Sequence, residues 1–251
     1  MADDSPRLYN DLADLWPLMS PVADYAEEAA YWLRELRARL PAGKRKRRIL
    51  ELGCGGGHFL HHLEPEFAAT AVDLSPRMLR RSRELNPGVR HHVGDMRAVR
   101  LGKKFDAVLI HDAIDYMTTE DDLRAAFATA REHLRPGGLL LAAPDHYKET
   151  FVETSVVHET NSDGRVELTW VEYSTDLDPA DTEIETVYVF FRREAGPGAT
   201  LTVEYDRHAT GLFPIAVWER LLDDAGFAPE RVDYPVSEDG SPMWLWVCRL
   251  R

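Results

Sequence analysis

Residues 50–58 read Leu-Glu-Leu-Gly-Cys-Gly-Gly-Gly-His, which puts Gly53, Gly55 and Gly57 just after a short apolar run, where absent side chains let a ligand approach the backbone. The spacing separates this loop from two phosphate-binding patterns. A dinucleotide fingerprint needs its third glycine three positions after the second, where this chain has His58; a P-loop needs Gly-Lys-Ser/Thr, where this chain continues through Phe59 and Leu60. Four carboxylates, Glu51, Asp73, Asp95 and Asp112, fall at or near the C-terminal ends of predicted strands, which is where the ligand crevice of an open α/β sheet lies. Converging acids repel a pyrophosphate and suit a ligand that carries cations.

A ligand bearing an ammonium group and a sulfonium centre meets that requirement, and S-adenosylmethionine is such a ligand. Asp73, at the end of the second predicted strand, can accept both ribose hydroxyls. Asp95 ends the third and can accept the adenine amino group, with Met96 against the ring and Leu74 and Met78 as apolar candidates for the other ring face. Asp106 starts a strand, away from the crevice, and is expected to pair structurally.

These residues need elements to hold them. Apolar positions at helical spacing over 21–40 predict an amphipathic helix that stops at Pro-Ala-Gly. Strands are expected at 49–52, 67–73, 89–93, 105–110 and 139–143, with helices at 76–85 and 119–134; Thr118 or Thr119 can cap the latter. Strands that lack polar alternation and interleave with helices imply a parallel sheet covered on both faces. After Pro144 the rhythm changes to period-two runs at 165–174, 183–193 and 200–207, an antiparallel insert. A helix at 214–225 and a hairpin at 230–236 and 243–249, joined by residues 237–241, complete the chain. The expected division is a core of residues 1–145 and 212–251 and a substrate-covering insert of residues 146–211.

Composition bounds the rest. With 43 acidic and 30 basic side chains in 251 residues the formal charge is −13, which argues against a nucleic-acid partner. The basic run at 44–48 reads as a solvated lead-in to the first strand. No apolar run approaches the roughly 20 residues of a membrane-crossing helix, and the acidic start lacks the pattern of a secretory signal, so a cytoplasmic chain is expected. Cys54 and Cys248 are too few and too far apart in sequence for a disulfide framework, and adjacent pairs such as His61-His62 and His91-His92 point in different directions, so no metal is expected. Edge strands of the insert could pair across subunits into a homodimer.

Five ordered blocks between residues 49 and 143 resemble the class I S-adenosylmethionine-dependent methyltransferases: Glu-Leu-Gly-Cys-Gly-Gly-Gly (51–57), Val-Asp-Leu-Ser-Pro-Arg-Met (72–78), Gly-Asp-Met (94–96), Phe-Asp-Ala-Val (105–108) and Leu-Arg-Pro-Gly-Gly-Leu-Leu (134–140). The resemblance implies a Rossmann-like, doubly wound, mostly parallel seven-stranded sheet with an antiparallel last strand. The whole chain is similar to the small-molecule branch that includes sugar N,N-dimethyltransferases, in which an N-terminal Tyr folds over the cofactor and a β insert covers the substrate. That likeness implies Tyr9 as the N-terminal aromatic and a helical lid around it, with Trp16 as a substrate contact.

The same family places substrate-facing residues after the fourth strand, here His111, Asp112, Asp115 and Tyr116. His111 is expected at the cofactor's methionine end, and Asp115, Tyr116 or His208 as proton acceptors. Each can equally cap a helix or be satisfied in a loop. Sugar N-methyltransferases tend to hold His at the position of Tyr116, so this chain departs from them there. Asp145, His146 and Tyr147 leave the fifth strand at the crevice edge and can line a substrate pocket. Because no base is obvious, an amine acceptor such as an amino sugar is favoured, with a small-molecule O-methyl acceptor or a non-catalytic binding protein of the same fold as alternatives.

Overall fold

The computed structural model describes residues 6–40, 43, 45–236 and 242–251. The expected turn at residues 237–241, the Pro-Ala part of the helix stop, the first residues of the chain and Lys44 of the basic run lie outside the described residues. Among the described residues no helix is long and apolar enough to cross a membrane.

The N-terminal segment is a series of short turns containing α1 (Trp16–Met19), followed by α2 (Tyr25–Arg39). The helix begins at Tyr25 rather than near Pro21, because residues Val22–Asp24 form a 3-10 turn. Then come β1 (Arg48–Leu52), α3 (His58–Leu63), β2 (Ala68–Asp73), α4 (Pro76–Leu85), β3 (Arg90–Val93), β4 (Phe105–Ile110), α5 (Glu120–His133) and β5 (Leu134–Ala142). Two of the helix starts follow directly from side chains. Ser75 Oγ accepts from Met78 N at 3.1 Å with Pro76 in the first turn of α4, and Thr119 Oγ1 accepts from Asp122 N at 3.1 Å at the start of α5.

The chain continues with β6 (Ser155–Ser162), β7 (Val166–Thr175), β8 (Glu183–Glu194) and β9 (Leu201–Gly211), then α6 (Ile215–Asp224), β10 (Phe227–Ala228), β11 (Arg231–Asp233) and β12 (Trp244–Leu250). The central sheet runs β10-β12-β5-β4-β1-β2-β3, with β11 also on β12. Its β3-β2-β1-β4-β5 part is parallel, and β12 is antiparallel to its neighbours. This sheet has eight segments where seven strands are expected, and the difference has a local cause. Phe227 faces Leu250 and Asp233 faces Trp244 in one unbroken register, so β10 and β11 are one strand interrupted at Pro229 and Glu230.

Alternation along the strands assigns the two faces. Leu50, Val108, Ile110, Leu140 and Ala142 pack with α5 and α6, whereas Ile49, Ala107, Leu109, Leu139 and Leu141 pack with α2 and α3. Both layers are nearly or wholly buried, as an apolar strand run requires. Asp106 sits apart from the crevice as expected, accepting from Arg48 N at 2.8 Å and pairing with Arg135.

The second sheet is antiparallel in the order β6-β7-β8-β9. It contains one strand more than the sequence reading. The extra strand, β6, carries Ser, His, Glu, Thr and Asn and is mostly solvent-facing, so it lacks the apolar alternation that marks its neighbours. A third, smaller core joins this sheet to the N-terminal segment: Leu8, Leu12 and Leu15 pack on Leu168, Trp170 and Phe190. The N-terminal segment and the second sheet are therefore joined by one core.

Candidate active site

The turn between β1 and α3 is shaped for close approach. Gly53 adopts φ +80° and a Cβ there would overlap Ala113; Gly57 adopts φ +75° and a Cβ would overlap Ser82. Val72 O accepts from Gly53 N at 2.8 Å and from Cys54 N at 3.0 Å, which fastens the turn to β2. Gly55 N donates to Asp73 Oδ2 at 2.7 Å and Ser75 N to Asp73 Oδ1 at 2.8 Å, so the Asp73 carboxylate is immobilised at the strand end. Burial raises its pKa, and these amides oppose the rise.

The turn, Asp73, Leu74, Asp95 and Met96 line a cavity of about 300 Å³ roofed by Tyr9 and Trp16. Leu74 is 62 % exposed, an apolar side chain left facing the opening. The cavity fits a ligand with a cationic end. Glu51 is buried on its wall with Oε2 unpartnered, and burial, partly opposed by His111, pushes this carboxyl up to about 8. A cationic donor placed there would satisfy the oxygen and restore its charge.

Two expected cofactor residues are placed differently. Met78 is completely buried and does not line the cavity: near the start of α4 its side chain lies under Gly55, where it supports the turn. Asp95 lines the cavity but is engaged by Arg97, whose Nε and Nη2 lie 3.0 and 2.7 Å from Oδ2, so it has less capacity for a ligand amino group than a lone carboxylate.

His111 lines the same cavity, stacked on Phe59 with ring centroids 4.4 Å apart. Its Nε2 meets Glu28 and its Nδ1 meets Asp112. Burial disfavours the charged imidazole, but the two carboxylates outweigh it and hold His111 well above the ordinary value. It offers a fixed positive charge and no free ring nitrogen. Glu28 is itself tied to Tyr234, whose hydroxyl donates to it at 3.0 Å. Glu28, His111 and Asp112 have ligand atoms close enough to share a metal ion, yet both His111 nitrogens are already committed to the carboxylates. Three of the paired histidines have separate partners: His61 Nδ1 lies 3.1 Å from Asn86, His62 Nε2 2.8 Å from Val22 O and His91 Nε2 2.8 Å from Ser82 Oγ, while His92 Nε2 is buried without one.

A second cavity, of about 330 Å³, lies under the insert and shares Tyr9, Trp16, Tyr25, Asp112 and Tyr116 with the first. At this shared wall the structure joins three residues that the sequence treats separately. Tyr9 Oη is 2.7 Å from Tyr116 Oη, and Tyr116 Oη is 2.7 Å from His208 Nδ1. His208 Nε2 then lies 2.9 Å from Asp206 Oδ2, which also accepts from Leu8 N at 2.7 Å. Burial alone would raise Asp206, but His208 and backbone amides hold it below its ordinary value. Ionised Asp206 accepts a hydrogen bond from His208 Nε2–H, which leaves Nδ1 to accept from Tyr116 and the Tyr116 oxygen to accept from Tyr9. β9 thus brings His208, one of the expected proton acceptors, to this wall from the far side of the fold.

Asp145 and His146 line the second cavity, as does Asp115. Asp115 Oδ2 accepts from Asp145 N at 2.9 Å, while its Oδ1 is buried without a partner. Burial, with repulsion from Asp112, raises the Asp115 and Asp145 carboxyls well above their ordinary range; Asp115 adds to the rise at Asp145, while hydrogen bonds from Asp145 oppose it at Asp115. Trp16 faces both cavities rather than the second alone, resting against Gly56 of the turn. Tyr147, expected at the crevice edge, is instead wholly buried beside Trp218 and Trp244.

Sequence reasoning missed Asp206, Glu28 and Tyr188. Two of them left a signal. Asp206 and His208 are two apart and both buried on one face of β9, a polar pair where alternation calls for apolar residues. Glu28 lies on the helical stripe of Tyr25, Ala29 and Trp32, and a carboxylate in such a stripe needs a partner inside.

A family model described as a methyltransferase domain matches residues 49–138. The dTDP-3-amino-3,4,6-trideoxy-alpha-D-glucopyranose N,N-dimethyltransferase of Streptomyces venezuelae is 34% identical over 229 residues, covering 89% of this chain and 92% of that protein. Among solved structures, Streptomyces venezuelae DesVI superposes with a TM-score of 0.80 at 30% identity, covering 94% of this chain and 96% of that one. The S-adenosylmethionine-bound amino pentose methyltransferase CalS10 of Micromonospora echinaspora gives 0.76 at 27% identity, with 90% and 92% covered.

Proposed function

This chain belongs to the class I S-adenosylmethionine-dependent methyltransferases, and from that premise we propose that it methylates the nitrogen of a small amine, an amino sugar or a related compound. The observation that carries this reading is the acidic second cavity, which meets the hydrogen-bonded series Tyr9–Tyr116–His208–Asp206 at the wall it shares with the first. The first cavity holds the cofactor: Asp73 takes the ribose hydroxyls, Leu74 and Met96 the adenine, and Glu51 the ammonium group. The second receives the acceptor. Bound S-adenosylmethionine supplies an activated methyl group for in-line displacement.

The chain's own residues then have three tasks. Tyr9 and Trp16 roof both cavities and exclude water from the reacting atoms. Tyr116 aligns the acceptor nitrogen at the boundary. The proton shed by the amine enters at the Tyr9 or Tyr116 oxygen, each hydroxyl passes its own proton onward, and His208 ends as an imidazolium stabilised by Asp206. Since a base is present, the case for nitrogen over oxygen rests on the second cavity, whose carboxylates attract an ammonium-bearing molecule from solution and raise its local concentration.

In this reading residues 1–145 and 212–251 bind the cofactor and residues 146–211 cover the acceptor, while the net charge of −13 turns nucleic acid away. The test is calorimetric titration with S-adenosylmethionine and S-adenosylhomocysteine, followed by mass spectrometry of an amine panel. Binding of both, with methyl gain on an amine, is the expected result; cofactor binding without methyl gain on any amine refutes the acceptor class.

A further inference from the structure

We propose that the acceptor is a free amine with at least two ammonium groups and no phosphate, in contrast to the dTDP-linked amino sugar named for the Streptomyces venezuelae relative. This rests on the reading of the chain as an amine methyltransferase and specifies its substrate. Seven carboxylates line the acceptor cavity, and among its described lining residues there is no Lys or Arg. Five of them form two groups on different elements, and Asp24 and Glu28 belong to the turn before α2 and to α2 itself. Asp112, Asp115 and Asp145 follow β4 and β5 on the core wall, and Glu159 and Glu172 project from β6 and β7 of the insert.

A second observation points to a missing cationic partner. Asp115 is 7 % exposed, lines this cavity, and its Oδ1 has no hydrogen-bond donor. A buried carboxylate oxygen without a donor is costly, and a ligand ammonium is the group that would satisfy it. The adjoining smaller cavity is lined by Glu28, Asp112 and Asp145, the first two already paired with His111. A diphosphate entering either space would add negative charge to like charge at low dielectric, with no guanidinium or ammonium among the described lining residues to receive it.

One amine does not account for both groups of acids. The nitrogen that takes the methyl has to be neutral at the moment of transfer, and carboxylates beside it would hold its proton on. The carboxylates therefore serve an ammonium that does not react, while the reacting amine lies at Tyr9 and Tyr116, where the hydrogen-bonded series leads its proton away. The molecule that satisfies both needs carries two or more amines on one small frame. Tyr188 and Trp170, also on this wall, add aromatic faces suited to a cation.

The test uses the whole protein saturated with S-adenosylhomocysteine and two probes, the diamine 2-deoxystreptamine and a dTDP-linked 3-amino sugar. The diamine is expected to bind at least about tenfold more tightly, and Asp115→Asn to weaken it by about tenfold, the effect of one charge-assisted hydrogen bond. Glu172→Gln on the other wall should weaken the diamine similarly, and neither variant should change S-adenosylhomocysteine affinity by more than about twofold. Tighter or equal binding of the dTDP-linked sugar, or diamine affinity unmoved by both variants, overturns the proposal. Methyl transfer with each probe separates the two failures. If the dTDP-linked sugar binds better and is methylated, the multiple-amine proposal falls while the amine methyltransferase stands; if neither probe binds or gains a methyl, both fall.

Discussion

The cofactor cavity and the acceptor cavity share a wall but are made in different ways. The first is a product of backbone: glycines at positive φ, amides that clamp Asp73, and strand ends that the core packing leaves no freedom to move. The second is a product of side chains from distant parts of the chain, with Asp115 and Asp145 from the core edge meeting His208 from β9 and Trp16 from the lid. A site set by backbone geometry tolerates sequence change around it and keeps one ligand, whereas a site set by projecting side chains can be retuned by single substitutions. The similarity to sugar N-methyltransferases thus bears more firmly on the cofactor than on the acceptor.

That contrast can be broken most severely at the turn. Gly53→Ala forces both a left-handed φ and an overlap with Ala113, and should reduce S-adenosylhomocysteine affinity by about 100-fold or more, measured by calorimetry with circular dichroism to register any loss of fold. Gly102→Ala, at φ +62° with nothing within 4 Å, is the control and should leave affinity intact. Next in size, His208→Ala should lower turnover by about 100-fold with cofactor affinity unchanged, because the relay loses its terminal base. Asp206→Asn should act more weakly, by about tenfold, and should move the pH–rate profile, since it alters the tautomer and basicity of His208 rather than removing it.

On the cofactor side, Asp73→Asn removes charge but keeps shape, and should weaken S-adenosylmethionine by about tenfold without changing acceptor affinity.

The smallest effect sharpens the electrostatic side. Glu51 has a folded-state value of about 8, above that of an unfolded carboxyl, so its neutral form is preferred on folding. The stability it contributes is full below the unfolded value and is lost as pH rises toward about 8. Buried Asp115 and Asp145, also raised, act with the same sign. Thermal melts of the ligand-free protein should therefore fall in Tm as pH rises through this window, and Glu51→Gln should flatten the slope by a few degrees, the response of a chain of this length to about 1 kcal/mol. Saturating cofactor should flatten it too, because an ammonium at Glu51 keeps the carboxylate ionised.

How far the sequence could be read follows the same division. The core strands, the glycine turn and the Thr119 cap are local features, each decided by a handful of adjacent residues, and they were legible. Strand β6 was not, because its solvent-facing polar residues carry no alternation to detect. Met78 was misread because helical spacing places it near the ligand but does not show which way its side chain turns. The Tyr9–Tyr116–His208–Asp206 series joins residues some 200 positions apart, and only the register of β8 with β9 and the docking of the N-terminal segment bring them together.

The central claim is that the two cavities are separable and that Tyr116 belongs to the acceptor side. It is tested most directly by Tyr116→Phe, with S-adenosylhomocysteine affinity and single-turnover methyl transfer to an amine measured on the same preparation. Affinity within about twofold of the parent and a transfer rate lower by about 100-fold are expected. Affinity falling in step with the rate would make Tyr116 a support of the cofactor cavity, and an unchanged rate would remove the relay; either result contradicts the account.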